Sequence, residues 1–124
     1  MQIEVSVGEI VDKYTILLIK EKMISDPQKL LNVSNERKYI ESILASHGFA
    51  EQDFVDRLVA VNETLWGIED RIRIKESLQQ FDDEFISLAR AVYHTNDERA
   101  RIKRELNEKT SSVFVEEKQY ADYL

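Results

Sequence analysis

The chain has no cysteine, one proline and three glycines in 124 residues, and its longest aliphatic run, Ile16 to Ile19, is far too short to span a bilayer. Without cysteine, disulfides and thiolate metal sites are excluded, and the usage fits a reducing compartment. A membrane helix needs about 18 apolar residues in a row, and no basic stretch followed by an apolar one opens the chain. We therefore expect a cytoplasmic protein with neither export nor membrane insertion. The two histidines, His47 and His94, lack a glutamate three residues earlier, so the Glu-x-x-His ligand pair of di-iron bundles is missing. No Gly-rich phosphate loop, nucleophile elbow or zinc motif occurs, and no cofactor is implied.

Positive charge is also in short supply. Seventeen basic against 24 acidic residues give a net charge of −7, which disfavours attachment to nucleic acid because such binding needs a Lys/Arg excess on one face. Arg99, Arg101, Lys103, Arg104 and Lys109 do concentrate on one segment. Asp97, Glu98, Glu105 and Glu108 lie among them, and intrahelical ion pairs account for that mixture.

What is present is a balance of 43% hydrophobic and 33% charged residues, ordinary for one domain spanning 1–124. So few helix breakers favour an all-α fold, an antiparallel bundle of four helices of which the last two are long. The first opens at the capping box Ser6-x-x-Glu9, carries Val7, Ile10, Val11, Tyr14, Leu17 and Leu18 on one face, and ends near Ile24. Asp26-Pro27 starts the second, which runs to about Ser46 before Gly48. The third spans about Gln52 to Leu78 and the fourth about Asp82 to Lys109, antiparallel and each about 40 Å long. Thr95-x-x-Glu98 also spells a capping box, but Val92, Arg99, Lys103 and Leu106 keep register across it, and we read one continuous helix.

Both chain ends are rich in β-formers, Gln2 to Val5 and Ser112 to Glu116. They either pair as a ribbon, or residues 110–124 form an extended tail that packs Phe114, Tyr120 and Tyr123 on the bundle or a neighbour. Helix one carries a second apolar row, Ile16, Ile19 and Met23, which calls for a second cover: a homodimer partner or the tail.

The candidate site lies on helices three and four. Asn62, Trp66, Glu69 and Arg73 form a row beside the apolar stripe Leu58, Val61, Leu65, Ile68 and Ile72. On helix four the core face turns polar through Asn96, Arg99 and Lys103. In an antiparallel hairpin turning near residue 80, Asn62 comes level with Asn96 to Arg99, and Trp66 with Tyr93 or His94. Amides and charges beside apolar neighbours need partners.

Three readings follow. The residues form a closed network that fixes helix register; they bind an anionic small molecule through Arg99 and Lys103 with Trp66 or Tyr93 as a stacking wall; or Glu69 works as an acid or base. Arg73, one turn on, would instead hold Glu69 ionised. Two acidic groups are candidates for no metal: Glu9-x-x-Asp12 is half of the Mg-binding pattern of helical pyrophosphohydrolases, without its partner motif, and Asp82-Asp83-Glu84 suits a helix N-terminus.

Val61-Asn62 with Leu65-Trp66, Ile68-Glu69-Asp70, Thr95-Asn96-Asp97 with Arg99, Val115-Glu116-Glu117-Lys118 and the opening Gly8-Glu9-Ile10-Val11-Asp12-Lys13 with Thr15-Ile16-Leu17 resemble a family of small helical proteins from bacteria and tailed phages, a domain of unknown function. The resemblance covers nearly the whole chain and departs at Gly67 and Tyr14. It attaches no reaction; a setting near surface-glycan genes favours a sugar-related ligand. The expected function is therefore a small accessory or assembly module, with a binding protein or small enzyme for a phosphorylated sugar or nucleotide as the alternative.

Overall fold

A computed structural model describes residues 1–123, with four α-helices and no strand among them: α1 (Val7–Met23), α2 (Pro27–Ser46), α3 (Gln52–Ser77) and α4 (Asp83–Lys109). Each N-terminus except that of α3 has a side-chain cap. Ser6 Oγ accepts from the Glu9 amide at 3.1 Å, Asp26 from Lys29 at 2.9 Å and Asp82 from Phe85 at 3.0 Å. These bonds satisfy amides that have no partner inside a helix. Half of the expected capping box is missing, because the Glu9 carboxylate accepts from Lys103 rather than from the Ser6 amide. No break occurs at Thr95, which lies inside α4.

The three C-termini of α2, α3 and α4 share one device. Gly48, Gln79 and Ser111 take positive φ angles of 67°, 52° and 52°. The next residue's amide then reaches back to an orphan carbonyl, as in Phe49 to Leu44, Gln80 to Lys75 and Ser112 to Asn107, at 3.0, 3.0 and 2.9 Å. Glycine meets this geometry freely, whereas Gln79 and Ser111 carry a Cβ into the left-handed region.

Helix α1 is the hub of the bundle, packing against α2, α3 and α4, while α3 and α4 form the most extensive helix pair. Val11, Leu17, Leu58 and Leu106 are almost wholly buried, and Ile40 and Leu44 of α2 join the same core. This arrangement explains why α1 is apolar on two sides. Ile19, expected at a subunit interface, is 3% exposed and covered within its own chain, whereas Ile16 is half-buried and Met23 is 49% exposed. Between α1 and α2 the Arg37 guanidinium forks onto Glu21 at 2.5 and 3.3 Å and reaches Glu41 at 2.6 Å.

The α3/α4 hairpin is antiparallel about its turn, with Arg57 facing Glu105, Arg71 facing Glu84 and Lys75 facing Asp82. With 26 and 27 residues against 17, α3 and α4 outrun α1. Their far end keeps Ile74, Leu78, Phe81 and Ile86 exposed.

Beyond α4 the chain is extended, and its N- and C-terminal segments form no ribbon among the described residues. It runs along α4 as a strap. Tyr123 meets Tyr93 and His94 edge to face with centroids at 5.0 and 4.9 Å and donates a hydrogen bond to Asp97. Phe114 and Tyr120, expected to pack, stay exposed.

Replacing Gln79 or Ser111 by glycine should stabilise the fold by about 0.5 to 1 kcal/mol by removing the left-handed penalty. Urea denaturation of the two single variants measures this, and a loss of stability at both would contradict it.

Candidate functional site

Two helical rows meet at the polar centre. On α1, Gly8, Asp12, Thr15 and Ile19 follow one another at helical spacing on one face; on α4, Arg99, Lys103 and Asn107 do the same. Because the two helices run in opposite directions, Gly8 meets Asn107 while Asp12 meets Arg99 and Lys103. The Gly8 amide donates to Asn107 Oδ1 at 2.6 Å. A Cβ at Gly8 would stand 2.7 Å from the Lys103 carbonyl oxygen, so glycine is what lets the two helices approach here.

Asp12 is the focus. Its carboxylate, 1% exposed, accepts on Oδ1 from Asn62 Nδ2 at 2.9 Å and from Arg99 Nε at 3.0 Å, and on Oδ2 from Arg99 Nη2. Lys103 Nζ lies 4.0 Å from Oδ2 and donates to Glu9 at 2.9 Å and to Glu116 of the strap at 3.2 Å. Asn62 also donates to Thr15 Oγ1 at 3.0 Å, and that hydroxyl donates to the Asp12 carbonyl at 2.7 Å. Among the described residues no buried side-chain nitrogen or oxygen lacks a partner.

The electrostatics follow from these contacts. Asp12 raises the Arg99 pKa through its hydrogen bonds, against the opposing effect of burial. For Lys103, burial acts to lower the pKa, but the Glu9 hydrogen bond together with the charges of Asp12 and Glu9 leaves it raised above 10.5. A raised folded-state value means that the Lys103 contribution is complete below about pH 10.5 and lost only as pH climbs beyond the folded value.

The expected residues divide. Asn62, Arg99 and Lys103 are brought together, though by α1 rather than by a direct meeting of α3 and α4. The Asn62 amide donates to Asp12 and Thr15, not to the α4 side chains expected beside it. Asn96 makes no hydrogen bond in the cluster. Tyr93 and His94 meet Tyr123 edge to face instead of Trp66. Glu69 and Arg73 pair with each other on the surface at 3.1 Å. Asp12, Thr15, Asn107 and Gly8 were missed as site residues, although the sequence held a signal: a small residue, a carboxylate and a hydroxyl along one line of α1 between its two apolar rows.

Beside the cluster opens a groove of about 380 Å³ lined by Ile16 and Ile19 of α1, by Leu65, Trp66 and Glu69 of α3 and by Arg99. Asn62, Asp70 and Arg73 complete it. Among the described residues no group of three or more His, Asp or Glu side chains is placed to hold a metal ion. Among the described residues no helix is long and apolar enough to cross a membrane.

Over residues 1–124 the chain matches the model of a family described as "Family of unknown function (DUF6165)", and it belongs to that family. No curated protein and no solved structure matches it.

Asp12→Ala should cost about 3 to 5 kcal/mol, because it strands Arg99 in a partly buried position and leaves the Asn62 amide with one partner. Asn62→Ala should cost less, about 1 to 3 kcal/mol, since Arg99 still holds the carboxylate. Gly8→Ala should cost about 1 to 3 kcal/mol by pushing α1 away from α4. Chemical denaturation ranks the three; an Asp12→Ala variant as stable as the parent would remove the cluster from its structural role.

Proposed function

We propose that this member of the DUF6165 family is a cytoplasmic, homodimeric assembly or accessory module whose buried ionic cluster locks helix register rather than turning over a substrate. The observation that carries this reading is the saturation of Asp12. Both carboxylate oxygens accept charge-assisted hydrogen bonds, and the group is 1% exposed. A general base must reach the proton it abstracts, and this one is enclosed by its own partners. The lack of cysteine fits the reducing cytoplasm.

The groove supports the dimer. Its floor is apolar, Ile16 and Trp66 are only half-buried, and Met23 beyond it is 49% exposed. On its rim Glu69 and Arg73 pair with each other, so the interface would rest on the apolar floor rather than on new ion pairs. Ile19 is already covered by its own chain and adds nothing to such an interface.

A second reading, a site for an anionic small molecule such as a phosphorylated sugar or nucleotide, draws on the same groove, where Trp66 offers a stacking face and Arg99 a cation. The cations argue against it: Arg99 is committed to Asp12 and Arg73 to Glu69.

Light scattering on the purified chain tests the first reading. The wild type should have twice the chain mass and the Ile16→Asp/Met23→Asp variant the chain mass with its helical content retained; a monomeric wild type would discard the dimer. A thermal-shift screen of sugar phosphates and nucleotides tests the second. Stabilisation that disappears in Trp66→Ala would favour the binding protein over the module.

A further inference from the structure

The α3/α4 hairpin has a back, turned away from α1. Asn62 and Arg99 mark the side of each helix that meets Asp12 of α1. Arg90 stands nine positions from Arg99, about two and a half turns, and so leaves α4 on the opposite side; Asp83 and Ile86 share that side with it. On α3, Leu78 stands sixteen positions from Asn62 and is turned away from α1 in the same sense. The strap's aromatic contacts, at Tyr93 and His94, come one heptad short of Ile86.

This face is apolar at its centre and charged on both flanks. Ile86 and Leu78 leave 52% and 59% of their surface in solvent. Asp83 and Arg90, of opposite sign and about 10 Å apart along the axis, stand one on each side of Ile86. Among the described residues neither has an ion-pair or hydrogen-bond partner, although the charges near them do: Glu84 pairs with Arg71 and Lys75, and Asp82 with Lys75. Gly67 stands on the Leu78 side of α3, eleven positions back. Glycine inside a helix weakens it, and nothing lies within 4 Å of the place its Cβ would take, so no contact inside the chain calls for it. The helix dipole explains an acid in the first turn of α4, but it explains neither the unpaired cation a heptad later nor the bare backbone at Gly67.

We propose that the back of the hairpin is a second self-contact, on which α4 of another copy lies antiparallel across a two-fold axis at the middle of the heptad from Asp83 to Arg90. The axis sets Asp83 of each copy against Arg90 of the other and brings the two Ile86 side chains together between the two ion pairs. Charge complementarity selects the occupant: the face carries opposite signs on the two sides of its apolar centre, and its own order of charges, reversed, is its complement. Gly67 offers an approaching helix bare backbone in place of a side chain. Resting on one apolar centre and two exposed ion pairs, the contact is weak and gathers copies only where the protein is concentrated. It shares no residue with the groove assigned to the dimer and lies on the other side of the hairpin. Two self-contacts on opposite sides of one chain link dimers in a row, which gives the assembly role a physical form; that last step rests on the groove dimer, whereas the contact itself does not.

Sedimentation equilibrium over a rising series of concentrations tests the contact, on the full-length chain carrying Ile16→Asp/Met23→Asp so that the groove contributes nothing. That chain should gain mass as its concentration rises, and do so less readily at high salt. Asp83→Arg or Arg90→Asp, added singly, sets like charges opposite each other and should weaken the association about tenfold. Mixing the two single variants in equal amounts should restore it, because each offers the other the charges it lacks; circular dichroism checks that each is helical alone. A mass that does not change with concentration would overturn the proposal, as would single variants that associate like their parent or a mixture that associates no better than its components. Failure of the groove dimer reads differently: Ile16→Asp/Met23→Asp then leaves the wild-type mass unchanged, while the two charge variants still complement each other.

Discussion

A carboxylate placed almost wholly out of water sets the terms for the rest of this bundle. Left alone, Asp12 would lose several kcal/mol of hydration, on the order of the entire stability of a small domain. Two guanidinium bonds, one amide and a nearby ammonium offset that loss only if α1, α3 and α4 sit at one relative height. A slip by one turn on any of the three would leave Asp12 or Arg99 without its partner. The apolar residues around it, such as Val11 and Leu58, supply most of the attraction but are far less particular about register. Hydrophobic burial thus gathers the helices, and the ionic centre selects one arrangement among several of similar apolar content.

The same logic accounts for the position of α1. A helix that is apolar on two sides and carries a carboxylate between them suits a place between neighbours, with oil on both flanks and cations opposite the charge. Gly8 extends this to the backbone, for its missing side chain lets the Asn107 amide group bond the first turn of α1. Recognition between α1 and α4 therefore runs partly through the main chain of α1, and it leaves no room for a side chain at position 8.

Local features of the fold were legible in the sequence, and long-range ones only in part. Helix limits came within a residue or so because caps and breakers act over three or four positions: Ser6, Asp26-Pro27, Gly48 and Asp82 each do in space what their chemistry implies. The hairpin register of α3 and α4 was also readable, since a short turn leaves antiparallel helices little choice, and Lys75 does face Asp82. Asn62, Arg99 and Lys103 stood out as polar residues in apolar rows. Their common partner did not, because nothing in periodicity says which helix lies across a groove, and Asp12 read alone resembles a surface acid. Asn96 was included because it continues the Arg99 row, yet its side chain takes no part in the network. The second apolar row of α1 divides: Ile19 is covered within its own chain, whereas Ile16 is half-buried and Met23 exposed.

One feature of the hairpin bears on how the molecule moves. The ionic centre ties three helices together at the root of the α3/α4 pair, while the far end, with Phe81 meeting Phe85 edge-on at 5.2 Å, is braced mainly by ion pairs at the surface, such as Lys75 with Asp82 and Glu84. The molecule is thus built like a tuning fork seated in a clamp. Thermal motion and partial opening concentrate in the prongs, whose amides should be the first in the helices to trade hydrogen with solvent, while the handle keeps time with global unfolding.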